Sequence, residues 1–144
     1  MKMISSFTDN HRFLSNFYPC VIAYDGITYP SNEHYYVAMK TTDPVLRKKI
    51  SEVTTAGKVK RFGRDMEIRA DWEDVRLQVM LYGLRQKFSD PVLNKMLKDT
   101  GDAQLIEGNS WHDNFFGSCG CSSCGDVGDN HLGRLLMQVR SELC

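Results

Sequence analysis

"CVIAYDGITYPSNEHYYVAMKT", residues 20 to 41, changes its period half-way along, and that change decides the fold. Asp25-Gly26 separates two short runs rich in Val, Ile, Thr and Tyr. This dipeptide tolerates the positive φ angles of a two-residue hairpin turn, so the spacing predicts strands near 20–24 and 27–29. Pro30-Ser31-Asn32 ends the alternation, and Ser31 or Asn32 can cap a helix running through "EHYYVAMKT". A hairpin that feeds straight into a helix is the nucleus of an α+β fold, and the rest of the chain adds helices around it.

Asp43-Pro44 and Asp90-Pro91 each pair a capping carboxylate with proline at the first helical position, which predicts short helices through "DPVLRKKISEV" and "DPVLNKMLKDTG", the latter closing at Gly101. "TTAGKVKRFGR" reads as a helix weakened by Gly57 and Gly63. The longest periodic segment runs from Asp71 to Phe88, and "AQLIE" is a short strand. "NHLGRLLMQVRSEL" stacks Leu132, Leu135, Leu136, Val139 and Leu143 on one stripe behind an Asp129 or Asn130 cap. Strands do not alternate with helices, which excludes a doubly wound sheet. The expectation is a mostly helical α+β single domain spanning residues 1–144 with a small β hairpin or sheet. At 144 residues, 42% hydrophobic and 25% charged, the chain is long enough to bury such a core.

No run approaches the roughly 18 apolar residues of a membrane span, and no signal-type block follows Met1, so the expected location is cytoplasmic with no membrane partner. The five cysteines fit reduced thiols better than an oxidised framework. A net charge of zero conceals a segregation. Residues 47–64 hold Arg47, Lys48, Lys49, Lys58, Lys60, Arg61 and Arg64 against Glu52, whereas residues 99–133 hold Asp99, Asp102, Glu107, Asp113, Asp126 and Asp129 without a Lys or Arg. A basic strip suits phosphates and an acidic lobe suits cations or proton chemistry, although two solvated faces would read the same.

Three constellations could carry chemistry. Cys119, Cys121 and Cys124 form C-x-C-x2-C, of which only Cys121-x2-Cys124 has knuckle spacing; a structural zinc there would take its fourth ligand from His112, His131, Cys20 or Cys144. A reduced thiol-rich loop is the other reading, and both stay open. Second, Glu33 falls in the first helical turn, where the dipole favours an ionised carboxylate, and Lys40 returns to within about 20° of the same face roughly 10 Å further along, with Tyr36 between them; a solvated helix with an unpaired Glu and Lys is the other reading of this spacing. Third, "GNSWHDNFFG" offers Trp111, Phe115 and Phe116 as stacking faces beside Asp113, whose carboxyl would serve as a general acid if its surroundings raised its pKa. The H-x-E…P-C-x-x-C deaminase signature, the phosphate loop G-x-x-x-x-G-K-[ST], G-x-G-x-x-G and the G-x-S-x-G elbow are all absent.

The blocks "FLSNFYPC", "GITYPSNEHYYVAMKT", "RADWEDVRLQVM", "GNSWHDNFFG" and "GDNHLGRLLMQVR", in this order from about Phe13 to Arg140, resemble the YbiA-like, or NADAR, family. The resemblance implies hydrolysis of an N-glycosidic bond. Its substrates would be ADP-ribosylated guanine in DNA or nucleotide or, alternatively, phosphorylated ribosylamino-pyrimidine intermediates of riboflavin biosynthesis. It further implies pairing with an ADP-ribosyltransferase toxin, and no cofactor for catalysis. By the same resemblance Glu33 and Lys40 match the glutamate and lysine of the Y-P-x-x-E block's helix, Asn16 and Phe17 the S-N-F entry, and Arg69, Asp71 and Trp72 the R-x-D-W block. Asp113 matches the aspartate of the W-x-D turn, and Asn130 and Gly133 the start of the last helix. Phe116 stands where many members have a second Trp, and the cysteine-rich insert at about 118–128 is absent from many relatives. Glu33, Lys40 and Asp113 are thus the expected catalytic residues, and Asn16, Phe17, Tyr36, Arg69, Trp72, Trp111 and Asn130 the expected substrate contacts. A glycosylamine can cleave through an oxocarbenium-like state beside Glu33, or through a Schiff base on Lys40. A zinc-dependent nucleic-acid or ADP-ribose-binding module without catalysis is the reading from a different class.

Overall fold

The computed structural model describes residues 2–143. In chain order the elements are β1 (Met3–Ile4), a 3-10 turn at Asp9–Leu14, β2 (Pro19–Tyr24), β3 (Ile27–Ser31), α1 (Asn32–Ala38), α2 (Pro44–Ser51), α3 (Ala56–Arg64), α4 (Trp72–Lys87), α5 (Pro91–Lys98), β4 (Gln104–Leu105), β5 (Gly108–Asn109), β6 (Ser118–Cys119) and α6 (His131–Glu142). They gather into two compact units, one from residues 16–87 and one from residues 2–15 with 88–143. The mostly helical α+β reading holds.

In the unit of residues 16–87 the hairpin is antiparallel, with Tyr24 opposite Ile27 and an irregularity between Pro19 and Ile22. Asp25 and Gly26 take φ angles of 49° and 80°, the left-handed pair this turn requires. Both strands extend beyond the predicted ends. Ser31 belongs to β3 and also caps α1, its hydroxyl accepting the His34 N–H. α1 packs against α2, α3 and α4 and buries Tyr35, Val37 and Ala38. Gly83 on α4 lets α1 come close, because a Cβ there would stand 2.0 Å from Asn32 Oδ1 and 2.9 Å from the Tyr35 ring.

One expected boundary is corrected. α1 ends at Ala38, with Met39 as its C-cap, so Lys40 lies past the helix rather than on its face. The Lys40 N–H turns back to the Val37 carbonyl (3.1 Å), and the Lys40 carbonyl accepts the Arg69 N–H (2.8 Å). Pro44 adds to the break, because the residue before a proline is pushed toward extended geometry, and Asp43 is extended with ψ 114°.

In the other unit α6 buries Leu132, Leu136 and Val139, and α5 buries Leu93 and Leu97. β1 pairs with β4 and β5 with β6, both in parallel. α5 stops at Lys98 with Asp99 as its C-cap, earlier than predicted; Gly101, at φ 65°, closes the turn that follows by donating to the Lys98 carbonyl. Asn130 precedes α6 as expected, but in the left-handed region and without a side-chain cap bond.

Candidate active site

Ser31 fixes where α1 begins and so places Glu33 in its first turn. Asn16 reinforces that placement: its carbonyl accepts the Glu33 N–H (3.1 Å) and its Oδ1 accepts from Asn32 Nδ2 (2.9 Å). Asn16 is therefore a brace for the glutamate's backbone. At the other end of α1, Lys40 runs its side chain along the helix, with Nζ 5.8 Å from the Tyr36 ring centroid. Gly63 on α3 lets α1 pack closely at Val37, where a Cβ would stand at 3.0 Å, and lies in ordinary contact range of Lys40 Nζ.

Burial pushes the Lys40 amine below its ordinary pKa, and the positive charges of Arg76 and Lys60 push the same way while Glu33 opposes them. Glu33 and Lys40 thus interact, as the spacing suggested, although the lysine gets there from beyond the helix. Tyr36 is buried; its hydroxyl accepts from Arg76 Nε at 3.3 Å. Burial raises that phenol to about 12, against the opposing pull of Arg76. Trp72 packs on Tyr36 with ring centroids 5.0 Å apart and is itself only 5% exposed, which makes it a wall of the core more than a platform for a base. Phe17 is 44% exposed, and Lys60 Nζ lies 5.9 Å from its ring. Together these residues form a carboxylate, a partly desolvated amine, two further cations and an exposed aromatic face.

Arg69 serves the backbone here. It forms a two-pronged pair with Asp71 (2.6 and 3.0 Å), and its Nη1 donates to the Met39 carbonyl (3.4 Å). It brackets the turn that carries Lys40. Of the two cations that act on Lys40, Lys60 belongs to the basic strip seen in the sequence, and Arg76 had not been singled out. Arg76 stands one helical turn after Trp72 on α4, and its i,i+3 pairing with Glu73 is a pattern common on solvated helix faces, so the sequence carries no signal that sets it apart.

Asp113, Trp111 and Asn130 belong to the other unit. Asp113 Oδ1 accepts the N–H groups of Phe115 (3.2 Å) and Phe116 (3.1 Å), an Asx turn that shapes the aromatic loop and commits one carboxylate oxygen. Asn109 holds the same loop, accepting from the Trp111 and Asp113 amides and donating to the Asp113 carbonyl. Trp111 is 58% exposed. Asn130 is buried, its Oδ1 accepting the Glu107 N–H (3.0 Å) and its Nδ2 donating to the Leu105 carbonyl (2.9 Å). Both amide atoms are used internally, so its geometry is that of a brace.

The thiols of Cys119, Cys121 and Cys124 converge with His112, their ligand atoms all within 4.8 Å of one another. Of the other fourth partners considered, His131 lies against the Phe115 ring (centroids 4.5 Å), Cys20 belongs to the other unit, and Cys144 lies outside the described residues. Hydrogen bonds, with that from Ser123 the largest contributor, pull the Cys121 thiol down to about 6.

The family model of the NADAR domain matches residues 4–144. The chain belongs to the NADAR family. It is 37% identical to the N-glycosidase YbiA of Escherichia coli over 96% of this chain and 85% of that one. It is 42% identical to a riboflavin biosynthesis protein of Vibrio vulnificus, over 94% of this chain but only 36% of that longer protein. A riboflavin biosynthesis protein of Zea mays is 36% identical over 83% of this chain and 20% of its own length. The NMR structure of E. coli YbiA superposes with a TM-score of 0.85 at 36% identity, covering 99% of this chain and 84% of that one. The NADAR match thus takes in both compact units and the cysteine-rich stretch. No helix among the described residues is long and apolar enough to cross a membrane.

Proposed function

We propose that this NADAR chain is an N-glycosidase that hydrolyses the C1–N bond of a phosphate-bearing glycosylamine, with ADP-ribose on the exocyclic amine of guanine as its substrate. The observation that carries the reading is the Lys40 amine beside the Tyr36 ring, desolvated and under the charges of Glu33, Arg76 and Lys60. The name of the E. coli relative supports the reaction class.

Burial raises the fraction of neutral, nucleophilic amine at Lys40. A glycosylamine opens when its ring C–O bond breaks and the ring oxygen takes a proton, leaving a C1=N iminium. Lys40 Nζ adds to C1. The departing amine leaves with a proton relayed by Glu33, and C1 becomes an imine of the lysine. Water adds to that carbon and expels Nζ, and the ring oxygen closes on the aldehyde. The sum is one water consumed and one C1–N bond broken. Arg76 and Lys60 would hold phosphate oxygens, with Phe17 as a face for sugar or base. Asp113 and Trp111 keep the roles the family resemblance implies, proton donor and stacking wall. In the same reading the two units make one NADAR domain with an insert at 118–128, working in the cytoplasm opposite an ADP-ribosyltransferase toxin.

The names of the Vibrio and maize relatives favour a second reading, a phosphorylated ribosylamino-pyrimidine as substrate. Incubation with a guanine-ADP-ribosylated oligonucleotide and with a ribosylamino-pyrimidine phosphate, analysed by mass spectrometry, separates the two. Restoration of unmodified guanine is expected, with kcat lowered about 10²–10⁴-fold in Glu33→Gln, the range for loss of a general acid–base group. Turnover of the pyrimidine alone would transfer the assignment to the second substrate, and turnover of neither would overturn the activity.

A further inference from the structure

His112 Nδ1 lies 3.2 Å from Cys124 Sγ, 3.5 Å from Cys121 Sγ and 3.8 Å from Cys119 Sγ. One ring nitrogen carries at most one proton, so it cannot donate to three sulfurs at once. What the distances do match is the edge of a coordination tetrahedron. Zinc bonds of about 2.3 Å to sulfur and about 2.05 Å to nitrogen put N and S ligands about 3.6 Å apart and S ligands about 3.8 Å apart. The three observed N···S separations straddle that value, and the whole set closes within 4.8 Å. An iron–sulfur cluster would distribute its cysteines over more than one iron and hold them further apart.

We propose that His112 Nδ1 and the thiolates of Cys119, Cys121 and Cys124 form a mononuclear tetrahedral zinc site. The backbone is built around it. Cys121 to Gly125 folds as a knuckle closed by the Gly125 N–H on the Cys121 carbonyl (3.0 Å), with Gly125 at φ 67°. The Asp126 N–H returns to the Cys119 carbonyl (2.9 Å), and Cys119 pairs with Asn109 in β6, which fixes the buried thiol. His112 adopts φ 68°, a conformation few non-glycine residues take. With four protein ligands and no open position the site is structural, and each protonated thiol gives up its proton as the metal enters. Its consequence is local: the metal ties the loop carrying Trp111 and Asp113 to the cysteine knuckle. This inference stands whether or not the chain is a glycosidase.

Metal analysis of the full chain, purified under reducing conditions with zinc supplied, tests it. One zinc per chain is expected, with loss of most of that metal in His112→Ala and in Cys121→Ser. Cobalt exchanged into the protein should show the intense visible absorption of tetrahedral cobalt–thiolate, weakened in Cys124→Ser. Hydrogen exchange at 109–128 should accelerate on chelation while residues 16–87 stay protected, which distinguishes loss of the metal from global unfolding. Protein that is folded but metal-free, a preparation holding iron and no zinc, or unchanged zinc in His112→Ala would overturn the assignment.

Discussion

Removing the Arg76 guanidinium takes a positive charge away from Lys40 without touching the amine itself. Arg76 lowers the Lys40 pKa, so Arg76→Gln should raise it. The neutral amine appears as pH rises through that pKa, so the rising limb of the pH profile of kcat/KM should move to higher pH in the variant. A limb that stays in place while activity falls would mean that Arg76 only binds substrate. At this scale the sequence was informative in an uneven way. Glu33 was legible because a capping residue and the helix start place it in a first turn. The placement of Lys40 was read through the wrong geometry, because sequence periodicity does not register a helix that Asp43-Pro44 and the Arg69–Lys40 hydrogen bond cut short. Asn16 and Asn130 were marked as substrate contacts because the motif contains them; in the structure Asn16 Oδ1 accepts from Asn32 Nδ2 and the Asn130 amide bonds the Glu107 and Leu105 backbone, partners that only the tertiary fold reveals.

The element that positions the site is α1, and its start depends on a buried histidine. His34 Nε2 lies 2.8 Å from the Val53 carbonyl and Nδ1 2.6 Å from Ser31 Oγ, the same hydroxyl that caps the helix. This arrangement suits neutral imidazole, with the proton on Nε2 donated to the carbonyl and Nδ1 accepting from the hydroxyl. Burial accordingly holds the His34 pKa below its ordinary 6.5, against the opposing Val53 hydrogen bond. Between the folded value and 6.5 the unfolded chain binds more protons, so this stabilisation is complete above about 6.5 and is lost as pH falls toward the folded value. Thermal unfolding followed across that interval should show Tm dropping with pH, and His34→Gln should flatten that part of the slope. Equal slopes in both proteins would remove His34 from the cap. The hairpin and the longer helices were legible because turn chemistry and capping side chains mark their ends. The two-residue pairings β1–β4 and β5–β6 were not, since two residues carry no period.

Across the whole molecule, the charge segregation in the sequence maps onto the two units, the basic strip in residues 16–87 and the acidic run in the other. Composition showed the segregation, and the structure singles out Lys60 from that strip as the cation acting on Lys40. The family blocks run through both units, so membership was legible from end to end, whereas the convergence of His112 on three cysteines required the fold of the loop. The central claim is that Lys40 attacks C1 of a glycosylamine with Glu33 beside it. The direct measurement is reductive trapping: the protein is incubated with the substrate it consumes in the presence of borohydride, and the adduct is mapped by peptide mass spectrometry. The account expects a ribosyl-derived adduct on Lys40, with neither adduct nor turnover in Lys40→Ala. Undiminished turnover in Lys40→Ala, with no lysine adduct in the parent protein, would contradict it.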